Sequence, residues 1–270
     1  MEQEQFNIPD FMLYIIIGLL VIASLSGIFL EDLYNDNLLV QSAWYGTDLI
    51  TFILAFPIFL MSIVLYKKKT LFGLLLVFAL LYYSLYNYAF YLFSAAFNSM
   101  YLLYLFIFTG SLYGILMIIR KINVKVVAER YREDTPTKLI GGFMILVAVI
   151  LGVFHIGLSL SYVFTGNVPD IIKNVGHPTN VIAALDLSMV VPVALFGGIS
   201  LIKKQPWGYV LAVVWNFKGF IYMTALTSAA VVSYLNGATA SLSELFLWVP
   251  IAIGCVIMSY ISLKYIDPAD

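Results

Sequence analysis

Three ionisable side chains, His155, Asp186 and Lys218, fall inside long apolar stretches of this chain. A charge at the centre of a bilayer costs roughly 2.5–3.5 kcal/mol on insertion scales, so such residues face other helices and pair with one another. An aspartate beside a lysine holds or relays charge, and a neighbouring histidine titrates near neutral pH. The expected unit is an Asp186–Lys218 pair between neighbouring helices, with His155 at the same level. Asn87 and Tyr83, at a similar height on another stretch, would supply hydrogen bonds. Tyr83, Asn87 and Tyr91 are spaced by four and share one helical face. Tyr82, Tyr86 and Tyr88 spread over the others. Asp48, Asn98 and Glu244 lie nearer one boundary and form a secondary set, open to solvation.

Each of these residues also has a plainer reading. A buried Asp–Lys pair can fix which helix sits beside which and do nothing else. A single histidine often serves packing. Tyrosine-rich stretches often pack and anchor at the interface. The functional reading rests on coincidence: the rare polar groups of different segments converge on one depth.

No catalytic motif accompanies them. The chain has no Walker-type glycine loop, no His-Glu-x-x-His and no Gly-x-Ser-x-Gly elbow. Its two histidines and its one cysteine, Cys255, are too few for a metal cage, and one cysteine makes no intrachain disulfide. No catalytic residue, metal or cofactor is therefore assigned. The net charge of −1 gives no argument for nucleic-acid binding.

The elements that must position these residues follow from composition. The chain is 62% hydrophobic and 11% charged. Soluble domains carry about 25% charged residues, and a soluble core cannot absorb the apolar excess. The lipid bilayer can. Eight runs are long enough to span it as helices: Phe11–Leu30, Leu49–Tyr66, Leu71–Phe93, Met100–Ile119, Leu139–Phe164, Val181–Ile202, Trp207–Val232 and Leu245–Lys264. None alternates in polarity as a barrel strand would. The first follows an acidic leader, Met1-Glu2-Gln3-Glu4-Gln5, where a signal peptide needs positive charge, so it is expected to be a retained helix. The predicted fold is all-α, an eight-helix polytopic membrane protein. At a rise of about 1.5 Å per residue, His155 and Asp186 stand roughly 24 Å from one membrane face and Lys218 roughly 17–20 Å.

Lysine and arginine set the orientation. Lys67, Lys68, Lys69, Arg120, Lys121, Lys125, Arg130, Arg132, Lys138, Lys203, Lys204 and Lys264 fall on one side if the spans alternate, against only Lys173 on the other. That side is expected to be cytoplasmic, with both termini there and the protein in the cell membrane.

A shift of 135 residues aligns unusual features without gaps. Ser24-Leu25-Ser26 meets Ser159-Leu160-Ser161, Pro57 meets Pro192, Lys68-Lys69 meets Lys203-Lys204, and Gly73 meets Gly208. The same shift sets Thr51 opposite Asp186 and Tyr83 opposite Lys218. Two parallel four-helix repeats are expected, residues 1–130 and 131–270, with a site at their interface. Pro57 and Pro192 would kink the second helix of each repeat. Gly110-x-x-x-Gly114 has helix-packing spacing.

The run Asp48–Pro57, the Tyr86-Asn87-Tyr88 stretch leading to Asn98, and Asp186–Pro192 followed by Lys-Lys-x-Pro-Trp-Gly resemble a group of uncharacterised prokaryotic multi-pass membrane proteins. The resemblance covers most of the chain. It implies a prokaryotic origin and no particular activity. The leading expectation is binding or transport of a small polar or amphipathic ligand, or of a proton, at the polar level. The alternatives are a membrane-embedded enzyme acting on a lipid or quinone, and a structural or accessory subunit.

Overall fold

The computed structural model describes residues 8–267. Eight helices in it are long and apolar enough to cross a membrane. They are α1 (Asp10–Phe29), α2 (Leu38–Lys67), α3 (Leu71–Phe93), α4 (Tyr101–Lys121), α5 (Thr137–Thr165), α6 (Val181–Ile202), α7 (Pro206–Leu235) and α8 (Leu245–Lys264). Two short helices, Val124–Glu129 and Asp170–Val175, lie in the connections. No strand forms among the described residues; only the backbones at Tyr131 and Ile266 pair locally. The chain is thus a multi-pass membrane protein.

Burial divides the helices by polarity. In α3 every residue from Gly73 to Tyr91 is buried, and α7 is the next most enclosed. These two are the least apolar of the eight, rich in tyrosine, tryptophan and amides. Lipid solvates aliphatic side chains as well as protein does, so the most apolar helices stay outside. The helices with hydroxyls and amides to satisfy go inside. α3 packs on α2, α4 and α7, and α7 packs on α2, α6 and α8.

Helix α2 starts at Leu38, not at Leu49 as hydropathy alone suggests. Its first turns carry Gln41, Ser42, Thr47 and Asp48, which lower the apparent apolarity. These residues do not lie in a loop. Ser42, Thr47 and Asp48 are buried within the bundle, and Ser42 Oγ accepts from Asn236 Nδ2 at the end of α7 at 3.0 Å.

The two prolines act as wide turns. In α2 the residues Thr51–Ala55 form one π-helical turn, closed by the Phe56 N–H on the Thr51 carbonyl. In α6 the residues Asp186–Val190 do the same, closed by the Val191 N–H on the Asp186 carbonyl. Pro57 and Pro192 follow one residue later in each case. A proline inside a helix offers no N–H and its ring presses on the carbonyl four residues back. Widening the preceding turn relieves that contact while keeping the helix continuous.

The lysine-bearing connections also match at this spacing. Lys69 and Lys204 both adopt left-handed backbone, at φ 58° and 53°. Beyond them Gly73 and Gly208 lie against the backbones of Leu65–Tyr66 and Ser200–Leu201, where a β-carbon has no room. These two glycines let consecutive helices pack backbone to backbone at the turn.

On the opposite face three connections are tied together. Asp36 accepts from the Ala96 N–H at 3.0 Å and from Trp44 Nε1 at 3.2 Å, and His177 Nε2 stands 3.9 Å away. His177 Nδ1 meets Ser94 Oγ at 2.7 Å. Asn37 caps α2 through the Val40 N–H and donates to the carbonyls of Asn174 and Val175 at 3.0 and 3.1 Å.

Burial pushes the Asp36 carboxyl up, but the hydrogen bonds from His177, Ala96 and Trp44 outweigh it and hold the group below the usual carboxylate range. A depressed value contributes stability above the ordinary aspartate pKa of about 3.9, and the contribution is lost as pH falls through the lower folded value. Asp36→Asn should therefore lower the melting temperature at pH 7, and the gap to wild type should close as the pH is taken below 4. Thermal unfolding of the detergent-solubilised protein at several pH values checks this; a gap that stays constant from pH 7 to 3 contradicts it.

Candidate charge-relay site

The wide turn of α6 sets the position of Asp186, whose side chain is almost wholly enclosed. Its two oxygens have separate partners from separate helices. Oδ2 lies 2.8 Å from His155 Nε2 of α5. Oδ1 accepts a hydrogen bond from the Tyr86 hydroxyl of α3. With a carboxylate as acceptor, Nε2 carries the imidazole proton. The other ring nitrogen, Nδ1, is buried with no partner.

Lys218 of α7 is 2% exposed, and its ammonium sits over aromatic faces. Nζ is 3.4 Å from the centroid of Tyr86, 4.6 Å from Tyr222 and 5.5 Å from Tyr82. The negative face of each ring attracts the cation, most strongly where water is excluded. Tyr86 therefore serves both charges: its hydroxyl binds the carboxylate and its ring binds the ammonium. Tyr222 and Phe90 meet Tyr86 edge-on at 4.7 and 5.2 Å and hold the ring in place. Donors from the central helices also use carbonyls at and beside the wide turn. The Tyr82 hydroxyl donates to Met189 O at 2.9 Å and Trp215 Nε1 to Val190 O at 3.2 Å.

The three ionisable residues expected to converge do so, with a difference. Asp186 and Lys218 make no direct ion pair, because Tyr86 stands between them. Lys218 Nζ rests on the tyrosine ring rather than reaching the carboxylate. His155 takes the position on the carboxylate that the lysine was expected to fill.

Tyr83 and Asn87 belong elsewhere. They sit on the side of α3 turned toward α2, where the Tyr83 hydroxyl meets Thr51 Oγ1 at 2.7 Å. The Asn87 amide nitrogen is buried with no partner. On this side lies a second carboxylate. Asp48 is 1% exposed, so it is not a solvated boundary residue. Its Oδ1 accepts from the Tyr91 hydroxyl at 2.9 Å and its Oδ2 from the Tyr34 hydroxyl. Asn98 closes its own turn, donating to Ala96 O at 3.3 Å and accepting from the Met100 N–H at 3.0 Å. Glu244 is exposed at the start of α8 and joins neither cluster.

Helix α3 thus sorts its tyrosines. Tyr82 and Tyr86, four apart, face Asp186 and Lys218; Tyr83 and Tyr91 face Thr51 and Asp48. The residue that sequence reasoning underrated is Tyr86. The available signal was its i,i+4 relation to Tyr82 on a helix too polar to face lipid. Among the described residues no group of three His, Cys, Asp or Glu side chains could hold a metal ion. The chemistry the site offers is proton sharing among imidazole, carboxylate and phenol beside the Lys218 amine.

Comparison with protein-family models, curated proteins and solved structures gave no match.

The double role of Tyr86 gives a graded prediction. Tyr86→Phe keeps the ring under Lys218 and removes one donor to a buried carboxylate, which should cost about 1–3 kcal/mol of stability. Tyr86→Leu also removes the cation–π contact and should cost about 2 kcal/mol more. Unfolding of both variants in one detergent checks the order; equal losses would mean that Lys218 gains nothing from the ring.

Proposed function

We propose that this chain moves a proton, or a small polar or amphipathic ligand linked to one, across the cell membrane. Asp186 is the proton-binding group. His155 and Tyr86 hand the proton on or take it up, and Lys218 keeps the carboxylate's charge compensated when it is ionised. The observation that carries this reading is a single contiguous chain of protonatable side chains, contributed by α3, α5, α6 and α7, inside membrane-crossing helices. Ionisable groups are costly there and mark proton and ion pathways. The wide turn at Asp186 adds a place where helix register can shift.

The same reading includes a tandem duplication. The matching wide turns, left-handed lysines and tight glycines at one offset support two parallel four-helix copies about a pseudo-two-fold axis along the membrane normal. The lysine-rich face is the cytoplasmic one, which puts both termini there. The proposed site then lies in the outer half, where α3 of the first copy meets the second.

One observation favours a second reading. His155, Tyr86 and Lys218 are tightly packed, as a purely structural polar tie would be. In an accessory or structural subunit the network would only fix helix register. Removing one partner of a buried charged network is costly, about 3–5 kcal/mol, whereas an apolar replacement of the whole is often neutral.

Flux and stability separate the two. Purified protein in liposomes loaded with a pH-sensitive dye, under an imposed proton gradient, should acidify the lumen faster than protein-free liposomes. Asp186→Asn and His155→Ala should fall to the protein-free rate while remaining folded. If wild type shows no flux and the Asp186→Leu/Lys218→Met double variant is as stable as wild type, the transport proposal is wrong and the structural reading stands.

A further inference from the structure

Helices α1 and α4 touch where glycine allows it. Ile16 of α1 lies against Gly110, and the Met12 methyl against Gly114. Beside this line of contact a groove of about 430 Å³ stays open. Phe11, Ile15 and Leu19 of α1 and Phe106, Thr109 and Tyr113 of α4 line it, among others. The only oxygens these side chains bring are the hydroxyls of Thr109 and Tyr113. Phe11, Ile15, Phe106 and Tyr113 are exposed, so the groove opens outward, to the bilayer.

Its direction and length fit one acyl chain. The groove starts at Phe11, one residue into α1, on the side of the molecule that carries the lysines. From there to Leu19 it follows the helix for about 12 Å. The hydrocarbon of one leaflet is about 15 Å deep. The groove therefore runs from headgroup level toward mid-membrane, as an acyl chain does.

Positive charge stands at the end where a headgroup would lie. Phe106, Gly110, Tyr113, Met117 and Arg120 follow the four-three spacing of one helical face, with Lys121 at its edge. Arg120 and Lys121 do not line the groove; they end that face of α4 roughly 10 Å past Tyr113. Both are exposed, and neither pairs with an acid among the described residues. On the α1 side, Lys67 Nζ lies 3.6 Å from Asp10 Oδ2 and 5.6 Å from the centroid of the Tyr14 ring. Asp10 offsets Lys67, so the two positive charges of α4 are left over. Arginine and lysine donors suit phosphate oxygens. Basic residues at this level also orient a membrane protein without binding anything. What singles this place out is an unpaired basic pair and an apolar groove on one face of one helix.

We propose that the α1–α4 groove binds an anionic diacyl phospholipid from the leaflet on the lysine-rich side. One acyl chain lies along Phe11, Ile15 and Leu19, and the phosphate meets Arg120 and Lys121. A zwitterionic lipid fills the same groove but brings its own cation against the basic pair, so anionic headgroups are preferred. The site requires only that the chain span a bilayer and is independent of the Asp186 network.

The test uses the full-length protein, purified in detergent and stripped of lipid. It is titrated with dioleoylphosphatidylglycerol, with dioleoylphosphatidylcholine as the zwitterionic reference and glycerol phosphate as a headgroup without chains. Melting temperature reads binding, and the lipid-free transition shows that each variant is folded. Phosphatidylglycerol should give a saturable rise with a lower midpoint than phosphatidylcholine, and glycerol phosphate no rise. Arg120→Gln/Lys121→Gln should weaken phosphatidylglycerol binding about five-fold for each charge removed and leave phosphatidylcholine unchanged. Lys203→Gln/Lys204→Gln, on the α6–α7 turn of the same face, should alter neither lipid. Ile15→Trp, at an exposed position, fills the groove and should weaken both. Equal midpoints for the two lipids in wild type, or equal losses in the two double variants, would mean a diffuse basic surface and overturn the proposal. So would a rise with glycerol phosphate matching that of the lipid, or phosphatidylglycerol binding unchanged in Ile15→Trp.

Discussion

A carboxyl group enclosed among membrane-crossing helices has no water to bind it, so its oxygens must be met by protein donors placed in advance. That requirement organises the centre of this molecule. Asp186 and Asp48 sit on different helices; Asp186 accepts from one tyrosine hydroxyl and Asp48 from two. Tyr86 and Tyr91, one for each carboxyl, both come from α3. A phenol suits this task because its ring packs as an apolar body while its hydroxyl supplies a directed donor. The enclosed tyrosines of α3 therefore let one helix serve two carboxylates on two faces.

The requirement explains the order of the bundle. A helix carrying Tyr82, Tyr83, Tyr86, Asn87, Tyr88 and Tyr91 would leave hydroxyls and an amide unsatisfied against lipid, so α3 takes the centre. α7, with Asn216 and Lys218, follows for the same reason. The wide turns of α2 and α6 face these central helices. At such a turn the hydrogen-bond ladder is displaced, and nearby carbonyls accept from side chains of other helices. Met189 and Val190 do so from Tyr82 and Trp215, joining α6 to α3 and α7 at the level of Asp186.

Much of this was legible in the sequence, for identifiable reasons. Seven of the eight spans were readable within a few residues because apolar runs bounded by lysine, proline or glycine leave little freedom. The meeting of His155 with Asp186 was readable because a constant rise per residue converts position into depth. The failures share one cause. Hydropathy treats a polar residue as evidence against a helix in the membrane, so the first turns of α2 and with them Asp48 were placed outside. Depth also says nothing about azimuth: Lys218 and Asp186 lie at similar heights, but the side chain between them is set by how α3 is rotated. That rotation depends on packing around all of α3, which no local pattern encodes. The proline signal was read correctly in position and incompletely in form, since a wide turn and a kink begin from the same lost hydrogen bond.

The central claim is that the His155 imidazole is held by the Asp186 carboxylate through Nε2, away from water. With only two histidines in the chain, nitrogen-15 spectra of histidine-labelled protein resolve the two rings, and His177→Gln assigns them. The account predicts a single His155 tautomer protonated at Nε2, with its nitrogen shifts displaced in Asp186→Asn. A His155 ring that exchanges between tautomers and is unchanged in Asp186→Asn would contradict it.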